Sequence, residues 1–201
     1  MAQKKLEESS RPQVSTEELR AHERKLVEAV QRGEKAAFGQ LVRIHQKRLF
    51  RFIYGLTGSF DQTEDIVQEA FVKAFAAIDS FRVEYDFYPW LSTIARNLTF
   101  NLLQREEKKE SLDRIAEQGF DVATADSDPL DQLLDSEGQR RFYAALRALP
   151  TAYRTVFVLR HFEDMDYSQI ASYLKIPPGT VDSRLHRARK MLLESLQDLL
   201  D

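Results

Sequence analysis

Between Pro178 and Lys190 the chain sets Arg184, Arg187, Arg189 and Lys190 against one acid, Asp182, a net charge of +3. Guanidinium groups can pair bidentately with guanine O6 and N7, and Arg or Lys can neutralise phosphates. Ser183 and His186 lie in the same run, and a short serine leaves room for bases to approach. A second cluster, Ser80–Trp90 (SFRVEYDFYPW), holds Phe81, Tyr85, Phe87, Tyr88 and Trp90, with Arg82 inside it and Arg96, Asn97 and Asn101 soon after. Rings beside hydrogen-bond donors suit unstacked, single-stranded bases. Phe81 and Trp90 are expected to plug a small core, whereas Tyr85, Phe87 and Tyr88 exceed what that core needs. The third cluster is Glu64, Asp65, Gln68 and Glu69, with Asp61 just before it. Such a cluster is a solvated face, a protein-docking surface or a Mg²⁺ or acid–base site. No glycine-rich phosphate loop, histidine partner or converging third carboxylate accompanies it, so docking is the better functional reading.

These side chains need helices to hold them, and helical periodicity runs through almost the whole chain. Asp166 and Gln169 fit a capping box that starts a helix near Tyr167, with Ile170, Ala171 and Leu174 as its apolar face. Pro177, Pro178 and Gly179 end that helix, and Pro178 suits the first turn of the next. In that next helix Val181, Leu185, Ala188 and Leu192 recur at inward spacing. Ser183, Arg184, His186, Arg187 and Lys190 are left outside. The pair is a helix-turn-helix whose second helix is charged for a major groove.

Earlier in the chain, Phe38, Leu41, Leu49, Phe52, Ile53 and Leu56 make a stripe ending near Gly55–Gly58, with Arg43, Lys47, Arg48 and Arg51 opposite. His45, close to the stripe, is expected to be structural and not a ligand. Asp61 with Glu64 fits a second capping box, opening a helix whose apolar face is Ile66, Val67, Ala70, Phe71, Ala74, Phe75 and Ile78. Pro89 helps start a further helix with Leu91, Ile94, Leu98 and Leu102 inward, and Thr93, Arg96, Asn97 and Asn101 outward.

Composition bounds the rest. The chain has 201 residues, 43% of them hydrophobic and 30% charged, with a formal net charge of −3, so the basic helix must be offset elsewhere. The offset is the stretch Glu110–Glu137, where nine acids face the lone Arg114, a net charge of −8. That self-repelling segment reads as a flexible linker. The absence of cysteine excludes disulfides, thiolate zinc sites and cysteine nucleophiles. No apolar run approaches a membrane span, and the N-terminus lacks the apolar core of a secretory signal, so a soluble cytoplasmic protein is expected. The expected organisation is a disordered extension (1–22), a helical domain (23–108), the linker (109–137) and a second helical domain (138–201). The fold class is all-α.

One module for unpaired bases and one for duplex, on a tether, fit transcription initiation better than plain repression. The sequence resembles the bacterial extracytoplasmic function (ECF) sigma factors. The likeness is carried by DIVQEAFVKAFAAIDSF (Asp65–Phe81), PWLSTIARN (Pro89–Asn97), LRALPTAYRTVFVLRHFEDMDYSQIASYL (Leu146–Leu174) and GTVDSRLHRARKML (Gly179–Leu192). The resemblance implies a region 2 bundle and a region 4 helix-turn-helix domain. It implies that Asp61, Glu64, Asp65, Gln68 and Glu69 dock on the β′ clamp coiled coil of core RNA polymerase, with the β flap as a further contact. Arg82, Tyr85, Phe87, Tyr88, Trp90, Arg96, Asn97 and Asn101 would then serve the −10 element, Asn97 touching a base and Tyr85–Tyr88 lining a pocket. Asp182, Ser183, His186 and Arg187 would face base edges at −35, with Arg184, Arg189 and Lys190 completing that surface. The acidic linker would thread the polymerase cleft. An anti-sigma factor is an expected partner, and the protein would associate with the nucleoid through polymerase. The sequence departs from the family's habit at Asp182, at the mixed run Gln104–Lys109 and at Val83–Tyr85.

The expectation is a non-enzymatic initiation factor, with no catalytic residue, metal or cofactor. The rivals are a stand-alone helix-turn-helix regulator and a helical metal-dependent hydrolase using Glu64, Asp65 and Glu69.

Overall fold

The computed structural model describes residues 16–113 and 136–197, and within them every regular element is a helix. The first half contains α1 (Thr16–Gln31), α2 (Lys35–Thr57), α3 (Phe60–Ala77), a short 3₁₀ turn (Ile78–Ser80) and α4 (Phe87–Asp113). The second contains α5 (Glu137–Ala148), α6 (Thr151–Phe162), α7 (Tyr167–Leu174) and α8 (Pro178–Gln197). Most of the acidic stretch lies outside the described residues.

In α2 the expected stripe is the core. Leu41, Leu49, Phe52, Ile53 and Leu56 are all essentially inaccessible, each such burial contributing about 1.5–3 kcal/mol. The helix ends at Gly58 in the left-handed conformation (φ 70°), its N–H returning to the Tyr54 carbonyl at 2.8 Å. Glycine adopts that conformation without a Cβ penalty.

The entry to α3 differs from expectation. The helix begins at Phe60, and Ser59, not Asp61, occupies the cap position. Thr57 Oγ1 accepts the Ser59 N–H at 3.3 Å, while the buried Thr63 hydroxyl donates to the Ser59 carbonyl at 2.6 Å. Two threonines thus occupy the corner, and Asp61 is already in the first helical turn. Phe75 is the other departure on this helix. It is 38% exposed, at the rim of the buried face with its ring edge-on to Phe38 at 5.0 Å.

In α4 the helix starts two residues before Pro89, which sits in the first turn where its missing N–H costs nothing. The most deeply buried residues are Leu91, Ser92, Ala95 and Thr99, and Ile94, Leu98 and Leu102 are only half-buried. The inward face is therefore rotated from the expected stripe. Small side chains permit close helix approach, and Thr99 satisfies its hydroxyl on the Ala95 carbonyl at 2.9 Å. At both ends of the first half, helix extends further than the sequence suggested. Residues 16–22 belong to α1, and 109–113 belong to α4. Apolar stripes mark where a helix is covered, and they miss the polar turns that continue it.

The two halves were expected as modules on a tether. In the structure α5 and α6 lie against α2. A Cβ added to Gly55 would come within 3.2 Å of Val158 and 3.5 Å of Leu146, so this glycine admits the close crossing. Tyr143 donates to the Arg51 carbonyl at 3.3 Å, and Arg51 reaches Gln139 at 3.3 Å. Arg154 is buried beside this contact and donates to the Arg147 carbonyl at 3.0 Å.

Candidate functional site

The α7–α8 pair forms as its sequence dictates. The Asp166 carboxylate accepts the Gln169 N–H at 2.8 Å, and the Gln169 side chain accepts the Asp166 N–H at 2.8 Å, closing the capping box. The Ser168 hydroxyl and the Gln169 N–H, both donating to the Asp166 carboxylate, favour its ionised form and hold its carboxyl below the usual range. The helix ends one turn before the prolines, with Lys175 left-handed at φ 54°. Pro178 is then the first residue of α8.

Val181, Leu185, Ala188 and Leu192 seat α8 in the core, which fixes the opposite face toward solvent. Asp182, Ser183, His186, Arg187, Arg189 and Lys190 are all exposed there. Arg184 is half-buried and lines a cleft with Tyr173, Lys175 and Phe100. Arg187 donates to the Tyr153 hydroxyl at 3.2 Å, and Lys190 pairs with Glu194 at 3.8 Å. Both contacts are exposed, so either side chain leaves its partner at little cost.

On α3, Asp61, Glu64, Asp65, Gln68 and Glu69 are exposed together. Glu69 pairs with Lys73 one turn on, at 3.3 Å. Val72, 67% exposed, continues this helix's open surface. No group of three or more His, Asp or Glu positioned for a metal occurs among the described residues.

The aromatic segment divides in a way the sequence did not show. Phe87 is 2% exposed and Tyr88 5%, so neither is available to a base as placed. Phe87 packs against Phe81, Trp90 and His45, with ring centroids 5.8, 5.7 and 5.4 Å away. Tyr88 lies under the Arg48 guanidinium at 3.6 Å and beside His45. Tyr85 alone of the three is exposed, at 63%, with Arg82 5.3 Å over its ring. Tyr85, Arg82, Trp90, Pro89, Phe81 and Asp86 line an open cleft of about 580 Å³. The expectation for Phe87 and Tyr88 is corrected: crowding along the chain is relieved by folding two of the rings inward.

Residues outside the sequence clusters shape this cleft. Gln31, at the end of α1, donates to the carbonyls of Ile78 and Phe81 at 2.9 and 2.8 Å, fixing the turn that starts the loop. Arg20 pairs with Asp86 at 3.2 Å. Part of the segment expected as a disordered extension (1–22) therefore braces the loop. Beneath it His45 is buried, and burial with the Arg48 charge lowers its pKa to about 4. Its Nε2 lies 3.5 Å from the Glu23 carboxylate. With the imidazole neutral at ordinary pH this is a contact and not an ion pair.

The exposed side of α4 meets the second half. Tyr173 of α7 donates its hydroxyl to Asn97 Oδ1 at 3.2 Å, and the Arg96 guanidinium lies 4.5 Å over the same ring. Arg96 also reaches the Met165 sulfur at 3.2 Å, and Phe100 packs edge-on to Tyr173 at 4.9 Å. Just past α6, Glu163 receives the Ser92 hydroxyl at 2.5 Å and the Tyr88 hydroxyl at 3.3 Å. Burial raises the Glu163 carboxyl above its ordinary range, against those two donors and the charges of Arg96 and Arg48. Asn101 is exposed. Glu163, Met165 and Tyr173 escaped the sequence reading because their partners are about seventy residues away.

Comparison with known proteins assigns these parts. Residues 41–109 match the family model "Sigma-70 region 2", and residues 139–192 match "Sigma-70, region 4". The chain is 33% identical over 182 residues to the ECF RNA polymerase sigma factor SigW of Bacillus subtilis, covering 88% of this chain and 97% of that protein. It is 37% identical to the ECF RNA polymerase sigma-E factor of Haemophilus influenzae, covering 87% and 95%. Among solved structures, CnrH in complex with the cytosolic domain of CnrY superposes with a TM-score of 0.53 at 26% identity, covering 88% of this chain and 98% of that one. The sigma factor RpoE of Bartonella quintana, in complex with the anti-sigma factor NepR, gives a TM-score of 0.55 at 29% identity, covering 80% and 96%.

Proposed function

The chain belongs to the ECF RNA polymerase sigma factors, and from that premise we propose how its surfaces divide the work of promoter-directed initiation. The observation that carries the reading is that α8, seated by four buried apolar residues, turns a continuous polar and basic face to solvent. That face is shaped for the −35 duplex. Arg187 and His186 stand where base edges would pass, with Ser183 and Asp182 toward the helix start. Arg189 and Lys190 are placed for phosphates. Asp182 can accept from a cytosine amine, which gives an acid a use on this face.

The acidic strip of α3 is the docking surface for core polymerase, on the clamp coiled coil of β′, and the second half meets the β flap. Asp65, Gln68 and Glu69 are its centre. The cleft of Tyr85, Arg82 and Trp90 takes an unstacked base of the −10 element, and Asn97 and Asn101 touch the adjoining strand. Stacking of about 1–3 kcal/mol per base offsets the few kcal/mol of unstacking. No ATP is required. Region 2 and region 4 hold one promoter at two places, so the chain linking them raises effective concentration. The structural relative RpoE of Bartonella quintana is in complex with an anti-sigma factor, and a partner of that kind fits this chain, which acts with polymerase in the cytoplasm, at the nucleoid.

The test is run-off transcription with purified core polymerase over a promoter library, with Gln68→Arg/Glu69→Arg as the companion variant. The expected result is promoter-selective transcripts with the parent, and loss of co-purification with core for the folded variant. Binding of a symmetric operator without polymerase, and no response to core, would return the chain to the regulator reading.

A further inference from the structure

The loop from Phe81 to Asp86 walls the open cleft of Tyr85 and Trp90 and closes one turn of its own, the Tyr85 N–H returning to the Arg82 carbonyl at 3.1 Å. Its two ends are held by a different element, α1. At the near end the Gln31 side-chain amide donates twice, to the Ile78 carbonyl at 2.9 Å and to the Phe81 carbonyl at 2.8 Å. At the far end Arg20 pairs with Asp86 at 3.2 Å. Arg20, Arg24, Val27 and Gln31 recur at i, i+4, i+7 and i+11, which is one face of a helix. A stripe of α1 about 16 Å long therefore runs along the loop. Arg24 and Val27 fill its middle, lining a small cavity with Phe81, Val83 and Phe87.

What Gln31 holds bears directly on the cleft. The buried Phe81 ring has its centroid 4.8 Å from that of Trp90 and 5.8 Å from that of Phe87. The residue whose carbonyl Gln31 fixes thus also carries the ring on which Trp90 rests. Exposed Tyr85 stands between the two anchors, one residue before Asp86. Bases differ at their edges by single polar groups, so a pocket tells them apart only where its walls are fixed to a fraction of an ångström. Both anchors precede the stretch 41–109 that matches region 2.

We infer that Gln31 and Arg20 are positioning residues that set base preference at the −10 cleft: α1 fixes the Phe81–Asp86 loop at both ends, and the geometry so fixed decides which unstacked base fits. The inference rests on the −10 reading above. Gln31 is the stronger anchor, being half-buried and bonded twice, while the Arg20–Asp86 pair is exposed and contributes less. Neither residue touches the base. Their effect falls on the choice of base at −10 and leaves the −35 reading of α8 alone.

Trp90 is the single tryptophan and lines the cleft, so its emission reports on the cleft without a label. Full-length parent, Gln31→Met, Arg20→Asp, the swap Arg20→Asp/Asp86→Arg, Arg24→Asp and Tyr85→Ala are each assembled with core polymerase. Transcription is read over a promoter library randomised at −10 and −35, and Trp90 emission and thermal unfolding are recorded on the free chains. Gln31→Met keeps the side chain's length and removes both donors. Arg24→Asp changes the charge of the stripe as much as Arg20→Asp does, away from Asp86. The expected result is that Gln31→Met lowers −10 base preference about 10-fold, keeps −35 preference and shifts the Trp90 emission. Arg20→Asp lowers −10 preference about 2–5-fold, the swap restores it, and Arg24→Asp leaves it unchanged.

If Gln31→Met and Arg20→Asp keep the −10 preference while Tyr85→Ala alters it, the positioning role is overturned and the −10 reading stands. A Gln31→Met loss that falls equally on −10 and −35 preference is general loosening of the fold and also overturns it. So does an Arg20→Asp defect that Arg24→Asp matches and the swap fails to restore, since α1 would then act through charge alone. Should Gln31→Met not fold, the exposed Arg20–Asp86 pair and its swap decide the matter. If Tyr85→Ala too leaves the −10 preference unchanged, the cleft reading itself fails and the inference falls with it.

Discussion

The outer face of α8 and the outer face of α4 are both candidate DNA surfaces, yet α8 stands in solvent along its length while α4 is partly enclosed. On α8 the polar side chains stand in solvent, and their contacts to Tyr153 and Glu194 are exposed and cheaply exchanged. On α4, Arg96 is half-buried against Tyr173 and Met165 and nearby Tyr88 is buried, while Asn97 is exposed and its contact to Tyr173 is exchanged as cheaply as those on α8. A duplex reader needs only a rigid helix with a free side. A surface for parted strands carries rings and unpaired donors, and these find partners within the protein when no strand is present. The comparison teaches that an aromatic-rich surface is divided by folding between core and solvent, whereas a helix seated by its own apolar stripe keeps its polar face whole.

Breaking the comparison on its buried side has the largest expected effect. Phe87→Ala should cost about 3–5 kcal/mol of stability, measured by denaturant unfolding. Tyr85→Ala should stay within about 0.5 kcal/mol yet impair transcription from linear duplex more than from a template already mismatched at −10. If the two stability losses are equal, the division of the aromatic segment is wrong.

Beneath the same surface, His45 makes stability depend on pH. Its folded pKa is lowered to about 4 from an ordinary 6.5, so the unfolded chain takes up the proton first. Stability is then full above that upper value and lost as pH falls toward the lower one, by about 3 kcal/mol. Glu23, whose carboxyl is raised mainly by burial, offsets part of this decline. Thermal unfolding across that range should show the slope, and His45→Gln should flatten it. A profile unchanged by the substitution would place the histidine's surroundings differently.

On α8, Arg187→Ala should cost about 1–3 kcal/mol at a −35 site where it reads guanine. An equal loss on every sequence would make it a phosphate contact. Smallest is the cap: Asp166→Ala should cost about 1 kcal/mol, visible as a lower Tm. It should leave sequence preference intact, because α8 is seated by its own apolar residues. A changed preference would mean that α7 sets the angle of α8.

Much was legible in the chain itself. The α2 stripe, the capping box at Asp166 and Gln169 and the inward set Val181, Leu185, Ala188 and Leu192 follow from periodicity and local hydrogen bonding, which act within a few residues. So did the outward strip of α3 and the charge on α8. The corner before α3 was misread because two threonines satisfy it from positions that no short capping pattern covers. Gly55 was visible as a glycine inside an apolar helix, a known sign of close approach, but nothing local names the helix that approaches.

Sequence alone therefore determined the all-helical class, the buried faces of α2 and α8 and the kinds of chemistry each cluster could offer, because those depend on spacing along one chain segment. Only the tertiary structure decided which aromatics are core and which remain exposed, and that Glu163, Met165 and Tyr173 meet the α4 surface. Those outcomes depend on which faces compete for the same space, and that competition joins residues about seventy positions apart.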